Sequence, residues 1–298
     1  MINYTFIIPH HNCPDLLNRL LDSIPQREDI EIIVVDDNSD QNKQPQISRS
    51  DVQIVLISKE KSKGAGHARN VGLGLAKGKW ILFADSDDKY INGVIDELDK
   101  FEDSDAEIVM FSAYIGYNKS SELSDKKNYI ERHMDEFETT SKQKEDIQRL
   151  TMKHSFPWNK MIKRDYINSI NAQFEEVPMR NDAWFSKYIG LHASKVEYTS
   201  KRLYCYYIYE NNTTNKKRPL KDYLKTIGTT AKINLLLFKN KLLELGVFPG
   251  FYVKNIMRDY GIFTVIILFV YEFLRDPITI PVIMNKLYRH IKRKIHLK

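Results

Sequence analysis

The first hundred residues alternate between short apolar runs and segments with helical spacing. The runs "YTFIIP", "IEIIVVDDNS", "VQIVLIS" and "WILFAD" are rich in β-branched residues and are followed by turn residues, so they predict four buried strands. Between them, "CPDLLNRLLDSI" and "GHARNVGLGLAKG" predict helices. This alternation is typical of an α/β domain in which a mostly parallel central sheet is flanked by helices.

A polar cluster follows each of the predicted strands, at residues 9–12, 36–39, 59–70 and 85–88. Parallel strands bring their carboxyl ends to the same edge of a sheet, and the ligands of α/β sheets bind beyond that edge. We therefore expect the four clusters to share one rim and to form a ligand site there.

The last cluster places Asp85, Asp87 and Asp88 directly after a strongly apolar run. Three carboxylates within four residues repel one another unless a cation or a ligand offsets their charge. Two interpretations stay open from these residues alone. The cluster is an acidic turn that caps the next helix, or it supplies oxygen ligands to Mn²⁺ or Mg²⁺ that holds a diphosphate.

Composition narrows the class of partner. The chain of 298 residues carries a net charge of +6 with a pI near 9.0, which favours anionic partners. Its two cysteines, Cys13 and Cys205, are far apart, so neither a disulfide framework nor a zinc cluster is indicated. The first residues lack the basic start and long apolar stretch of a signal peptide, so we expect a cytoplasmic protein.

Two later segments differ from this pattern. Residues 118–148 are highly charged, which favours a solvated helix pair or a lid, and the apolar run 261–274 is shorter than the roughly twenty residues of a spanning helix. Beyond Pro281, lysines and arginines separate apolar residues that recur every fourth position, at Ile283, Leu287, Ile291 and Ile295. This predicts a basic amphipathic helix that lies on an anionic membrane or packs on its own domain.

Three classes of function fit the sequence poorly: a dinucleotide-binding enzyme, a nucleotidyltransferase and a non-catalytic binding module. A dinucleotide site needs G-x-G-x-x-G after the first strand, whereas "PHHN" has no glycine there and Arg69 stands in "GAGHAR" where a third glycine belongs. A nucleotidyltransferase usually has a Gly- and Lys/Arg-rich loop after the first strand, and "PHHNCPD" lacks one. A non-catalytic basic module that binds membrane or nucleic acid leaves the ordered acids unexplained.

The segments "FIIPHHN", "EIIVVDDNS", "GAGHARNVGLGLAKGKWILFADSDD" and "NDAWF" resemble the family 2 glycosyltransferases of bacterial surface-polysaccharide assembly, in the right order over residues 3–215. The resemblance implies a GT-A nucleotide-diphospho-sugar transferase fold at 1–215, with a nucleotide-binding half (1–100) and an acceptor-binding half (101–215). Residues 216–298 are then expected to form a helical C-terminal extension that associates with membrane.

The resemblance also implies an activity and its partners. The expected enzyme is an inverting, metal-dependent hexosyl- or N-acetylhexosaminyltransferase that uses a UDP-sugar and Mn²⁺ or Mg²⁺. The expected acceptor is a saccharide hydroxyl, in particular that of a polyprenyl-diphosphate-linked oligosaccharide. The protein is then expected at the inner face of the cell membrane, in peripheral contact with anionic lipid, and without a nucleic-acid partner.

Site residues follow from the matched motifs. For the donor nucleotide and its phosphates, the expected residues are Pro9, His11, Asp36, Asp37, Lys63, Arg69, Asp85 and Ser86. His11 stands where the family usually has Tyr, and Asp36 is the expected helper of the uracil-binding Asp37. Asp87, together with Asp85, is the expected metal ligand.

Direct displacement at a sugar carbon needs a carboxylate that accepts the acceptor's proton. The resemblance implies that this catalytic base is Asp182 in "RNDAWF", which stands at the position of the family's short acidic motif. Asn181 replaces the Glu that usually precedes it in the family. Glu175 and Glu176 are the alternative bases.

The two tryptophans in the second half of the N-terminal region, Trp158 and Trp184, are interpreted as core residues more readily than as platforms for a sugar ring.

Overall fold

The computed structural model describes residues 1–117, 120–123, 144–209, 217–247 and 250–275. These residues fall into two compact units, which we call the N-terminal unit (1–176 with 181–209) and the C-terminal unit (177–180 with the described residues after 216). The predicted basic helix beyond Pro281 and most of the charged segment 118–148 lie outside the described residues.

A single mixed sheet forms the centre of the N-terminal unit. Its strands in the described residues are β1 (Tyr4–His10), β2 (Ile30–Asp37), β3 (Val52–Ile57), β4 (Trp80–Phe83), β5 (Lys89–Tyr90), β6 (Ile108–Tyr117), β7 (Ser120–Leu123), β8 (Lys160–Lys163) and β9 (Val196–Ile208). They lie in the order β3-β2-β1-β4-β8-β6-β9-β5, and β7 pairs with β6.

The first four strands form the parallel half that the sequence predicts, with β1 parallel to both β2 and β4, and β3 parallel to β2. The second half is mixed, because β8 runs antiparallel to β4 and β6 while β9 runs parallel to β6. The helices of this unit are α1 (Pro14–Asp22), α2 (Ala65–Leu75), α3 (Val94–Leu98), α4 (Lys144–Lys153), α5 (Arg164–Ser169) and α6 (Asn181–His192).

The core of the N-terminal unit lies on both faces of β1, which is buried along its whole length. Its β-branched and aromatic residues suit a strand that is covered on each side. Helix α2 packs on β1 and β2 through a glycine, since a Cβ added to Gly72 would lie 2.4 Å from Cγ2 of Ile7. This close approach fixes α2, whose first turn reaches the rim.

The C-terminal unit is helical, as expected for the extension. It contains α7 (Leu220–Lys239), α8 (Gly250–Tyr260) and α9 (Ile262–Arg275). Met179, Tyr223, Ile256 and Val265 form its buried core. Among the residues that the structure describes, none of the helices combines the length and the hydropathy needed to cross a bilayer.

The packing of α2 on β1 gives a stability prediction. Gly72→Ala should lower the free energy of unfolding by about 1–3 kcal/mol, because Ile7 is fully buried and has no room to retreat from the new methyl group. Gly74→Ala is the matched control, since a Cβ there meets no atom within 4 Å. It should stabilise the protein by about 0.5–1 kcal/mol through helix propensity. Urea unfolding measures both, and equal effects would contradict the packing argument.

Candidate active site

Buried polar contacts join the carboxyl ends of β1 and β2. His10 Nδ1 lies 2.7 Å from Asp36 Oδ1, and His10 Nε2 accepts a hydrogen bond of 3.3 Å from the backbone N–H of Cys13. Since Nε2 is an acceptor, the proton is on Nδ1, which therefore donates to Asp36. Asp36 also accepts from the backbone N–H of Ser39 at 3.0 Å. Its carboxylate thus connects the end of β1 to the turn after β2.

Asp37 presents an unsatisfied acceptor at this rim. Its Oδ2 accepts a 2.8 Å hydrogen bond from the backbone N–H of Gly64, whereas its Oδ1 is buried and has no hydrogen-bond partner among the described residues. An unpaired buried acceptor costs about 1–3 kcal/mol, so the site is suited to a ligand that brings a donor.

Pro9 and His11 lie at the carboxyl end of β1, next to the end of β2 that carries Asp37. Pro9 is buried within β1, and the exposed His11 donates from Nδ1 to the Asp37 carbonyl oxygen at 3.0 Å. The Asn12 amide nitrogen lies 3.2 Å from His11 Nε2, which accepts from it. The two contacts fix the imidazole ring next to Asp37.

Lys63 is paired in the structure. Its Nζ contacts Glu176 Oε2 at 2.7 Å, and His67 Nδ1 contacts Glu176 Oε1 at 2.7 Å. The Lys63 contact is the first cause that lowers the pKa of Glu176, with His67 acting in the same direction. A carboxylate held by two basic groups is a weak proton acceptor, which argues against Glu176 as the base.

Arg69 connects two parts of the site that are distant in sequence. This buried guanidinium donates to Asp85 Oδ1 at 2.5 Å and to Asn181 Oδ1 at 2.7 Å. Asn181 is the first residue of α6, and Asp182 follows it in the first turn. Arg69 therefore bridges the acidic turn after β4 and the helix end that carries the expected base.

Close backbone packing accompanies this bridge. A Cβ added to Gly66 in α2 would lie 2.1 Å from the carbonyl oxygen of Glu175 and 2.9 Å from Cβ of Asn181. Sequence reasoning missed this role of Asn181, which it identified only as the replacement of an acid. The available signal was that the amide oxygen of Asn181 can accept a hydrogen bond from Arg69, as the carboxylate it replaces would.

Asp88 anchors the acidic turn to β9. Tyr204 donates from its hydroxyl to Asp88 Oδ2 at 2.9 Å and accepts from the backbone N–H of Asp85 at 2.9 Å. The backbone N–H of Tyr207 donates to Asp88 Oδ1 at 2.8 Å. The residue that caps the next helix, α3, is instead Gly93, which provides no side-chain hydrogen bond. The interpretation of the cluster as a helix cap is therefore wrong.

The backbone of Asp87 is held by hydrogen bonds, and the ionisation of its carboxyl group is disfavoured. Its carbonyl oxygen accepts from Arg19 and, at 2.8 Å, from the Tyr209 hydroxyl. Burial, followed by the negative charge of Asp85, raises the pKa of Asp87 to about 6. Ser86 lies between the two acids and contacts the Cys13 thiol at 3.1 Å.

The acidic turn fits a hard divalent cation that is shared with a ligand. No group of three or more His, Cys, Asp or Glu side chains suited to a metal is present in the described part of the chain. Mg²⁺ usually takes one or two protein carboxylates and completes its coordination with water and phosphate oxygens. Asp87, together with the Asp85 oxygens, would hold such a cation, whose charge would offset the burial and the repulsion by Asp85 that raise the pKa of Asp87.

A buried lysine lies near the expected base. Lys160 donates to the carbonyl oxygens of His154 and Phe156 at 3.1 and 2.6 Å, and to Asn159 Oδ1 at 3.0 Å. Burial lowers the pKa of Lys160 to about 7, and the negative charge of Asp182 acts in the opposite direction. The partly exposed carboxylate of Asp182 therefore has a positive partner within electrostatic range as well as a helix N-terminus.

Trp158 is a core residue, as expected. It is buried and stacks on Phe156 and Tyr204 at centroid distances of 4.2 and 4.9 Å. Trp184 is only partly buried and stacks on Tyr188 at 5.3 Å.

Comparison with known proteins shows which family the chain matches. The family model described as glycosyl transferase family 2 matches residues 5–170. The chain is 33% identical over 113 residues to the Escherichia coli protein named UDP-Glc:alpha-D-GlcNAc-diphosphoundecaprenol beta-1,3-glucosyltransferase WfaP, a match that covers 37% of this chain and 45% of WfaP. It is 26% identical to glycosyltransferase GlyG of Streptococcus pneumoniae, over 67% of this chain and 69% of GlyG.

The chain also matches the succinoglycan biosynthesis protein ExoO of Rhizobium meliloti and glycosyltransferase GlyA of Streptococcus pneumoniae, and it spans only 25% of the length of ExoO, 30% of GlyA and 45% of WfaP. Among solved structures, S. aureus TarS 1-349 in complex with UDP-GlcNAc has a TM-score of 0.61 at 18% identity, over 86% of this chain and 73% of the TarS chain. This likeness confirms the expected GT-A fold.

Because ionisation of Asp87 is disfavoured, we predict that substitutions at Asp87 and at its neighbour Asp88 change the free energy of unfolding in opposite directions. Asp87→Asn should raise the free energy of unfolding at pH 7 by about 1–2 kcal/mol, because it removes a partly buried carboxylate that is repelled by Asp85. The folded state holds this proton more tightly than the unfolded chain, so wild-type stability falls as pH rises from about 3.8 to about 6. The gain should therefore vanish below about pH 4.

Asp88→Asn is the control for this prediction. An amide at this position faces two donors, the Tyr204 hydroxyl and the Tyr207 N–H, so one of them loses its acceptor. We expect a loss of about 1–3 kcal/mol in the free energy of unfolding. Thermal unfolding of both variants at pH 7 and pH 4 measures the contrast. Burial and the negative charges of Asp85 and Asp87 also raise the pKa of Asp88. Equal stabilisation by the two changes would show that relief of this unfavourable charge outweighs the lost hydrogen bond at Asp88.

Proposed function

Because the chain belongs to glycosyl transferase family 2, we propose that it transfers a sugar from a UDP-sugar to a hydroxyl of a saccharide acceptor, with inversion at the sugar carbon. The observation that carries this proposal is the Arg69 bridge. Through it, one buried guanidinium holds the cation-binding turn at Asp85 and the helix end that carries Asp182. A donor diphosphate and a catalytic base need this proximity.

The nucleotide end of the donor binds at the ends of β1 and β2. The unpaired Oδ1 of Asp37 accepts the N3–H of a uracil ring, and the imidazole of His11 stacks on the ring next to Pro9. The crystal structure of TarS with UDP-GlcNAc supports a UDP-sugar as donor, since that protein has the same fold.

A divalent cation, Mn²⁺ or Mg²⁺, when bound at Asp87 and Asp85, neutralises charge on the diphosphate of the donor. Ser86 lies at the ribose side of this turn. Lys63 reaches the phosphates after it leaves Glu176, because its side chain is more than half exposed and its pairing is a weak surface contact.

Asp182 acts as the base. It accepts the proton of the acceptor hydroxyl while that oxygen forms a bond to the anomeric carbon on the face opposite the diphosphate. The bond from the anomeric carbon to the phosphate oxygen breaks at the same time, and UDP leaves with the electron pair. Asn181 and Arg69 hold Asp182 in position for this step.

We place the acceptor among lipid-linked saccharides of bacterial surface-polysaccharide synthesis. The name of WfaP describes a glucosyltransferase that acts on a diphosphoundecaprenol-linked sugar, and the chain is similar to part of it. The enzyme then works at the cytoplasmic face of the membrane, to which residues 216–298 bind by peripheral contact.

Calorimetric titration tests the donor proposal. Wild type should bind UDP in the presence of Mn²⁺ and should bind it at least about tenfold more weakly without the cation, because the diphosphate then faces the carboxylate of Asp87 with no cation between them. Asp87→Ala should lose this dependence on Mn²⁺. GDP serves as the control ligand. Tighter binding of GDP than of UDP would contradict the choice of donor, and absence of any cation-dependent binding would contradict the site.

The base assignment has its own test. Asp182→Asn should lower the rate of sugar transfer by a factor on the order of 10² to 10⁴, since the amide accepts no proton, while the affinity for UDP stays within about twofold of wild type. Glu175→Gln and Glu176→Gln are the matched controls and should retain most of the activity. Transfer at the normal rate by Asp182→Asn, or its loss in either control, would reassign the base. Release of UDP with a suitable acceptor measures all three.

A further inference from the structure

Helix α9 carries a broad apolar face that is exposed to solvent. Five of its side chains are between 50% and 80% exposed: Ile262, Phe263, Ile266, Ile267 and Val270. At 100° per residue these positions fall within an arc of about 140°, so they form one continuous outward stripe. We call these five residues the α9 stripe.

The opposite side of α9 is apolar as well. Val265 is buried in the core of the C-terminal unit with Tyr223 and Ile256, and Leu268 packs against the same cluster. A helix that is apolar on both sides is normally covered on both sides. A contiguous exposed apolar surface of this kind marks a contact with a protein or a lipid membrane.

Charge indicates which of these partners covers the stripe. Residues 217–298 contain 16 Lys and Arg against five Asp and Glu, a net charge of +11, whereas the rest of the chain has a net charge of −5. In α7 the exposed lysines also share one face of the helix, since they lie within an arc of about 40°: Lys221, Lys225, Lys232 and Lys239.

We propose that the α9 stripe inserts into the interface of an anionic lipid membrane, to which the lysines of the C-terminal unit are attracted. An apolar helix face accompanied by Lys and Arg is the composition of helices that lie in the membrane interface. Each basic residue near an anionic lipid surface adds attraction. A second copy of this chain suits the stripe less well, because two copies of residues 217–298, each with a net charge of +11, repel each other.

This inference deepens the proposed function, because it names the surface through which the enzyme would approach a lipid-linked acceptor. It rests on the proposed function only for that purpose. Binding to lipid is measured without any sugar donor or acceptor, so its failure is distinguishable from failure of the proposed transfer reaction.

Co-sedimentation of the full chain with vesicles tests the proposal. The vesicles contain phosphatidylglycerol and phosphatidylethanolamine, and vesicles of phosphatidylcholine alone provide the neutral reference. Phe263→Asp combined with Ile267→Asp should lower the partition coefficient for anionic vesicles by about tenfold or more. Lys232→Gln combined with Lys239→Gln should lower it by roughly tenfold for anionic vesicles and leave it unchanged for neutral ones.

Leu56→Asp is the matched control. Leu56 is an exposed apolar residue of β3 in the N-terminal unit, at 59% exposure, and it undergoes the same chemical change. It should leave vesicle binding unchanged. Far-UV circular dichroism and thermal unfolding, measured in parallel, show that each variant is folded.

Two results would overturn the proposal. The first is equal vesicle binding by wild type and the Phe263/Ile267 variant. The second is a wild-type dimer that this variant converts to a monomer without a change in vesicle binding, which would assign the stripe to a second copy. Sedimentation equilibrium of both proteins without vesicles provides that measurement.

Discussion

Repulsion among the carboxylates after β4 is the constraint on which the rest of the N-terminal unit depends. The fold holds these groups together from outside the turn: Arg69 pairs with Asp85, Tyr204 donates to Asp88, and the backbone of Asp87 is fixed by side chains from α1 and the segment after β9. These contacts position the acids but leave the pKa of Asp87 raised. Stability is thus reduced at the point where a cation would restore it.

The two ends of the proposed reaction depend on the same buried guanidinium. A cation at Asp87 changes the charge that Asp85 and Arg69 experience, and Arg69 also holds Asn181 beside Asp182. Binding of the donor and placement of the base are therefore mechanically connected. Asn181 is neutral, so Asp85 is the only carboxylate among the two groups that Arg69 bridges. The ion pair of Arg69 and Asp85 therefore carries no net charge before the donor binds.

Local patterns predicted the parallel half of the sheet, because each strand and helix there is marked by its own periodicity and turn residues. The mixed half depends on pairings between distant segments, such as β6 with β9, for which the sequence has no local signal. The same limit applies to the site. Motifs located Asp37 and Asp87, but the contacts of Arg69 with Asn181 and of Lys63 with Glu176 span more than a hundred residues.

The division of charge gives the two units different relations to a lipid surface. The residues before 217 have a net charge of −5 and an acidic turn, so an anionic membrane repels them as a whole. The residues from 217 onward have a net charge of +11 and carry the apolar α9 stripe, so attraction and insertion would both act on them at the proposed membrane contact. Under the proposed membrane contact, the second part rather than the first would be attracted to anionic lipid. A chain with the same net charge of +6 spread evenly would lack this preference.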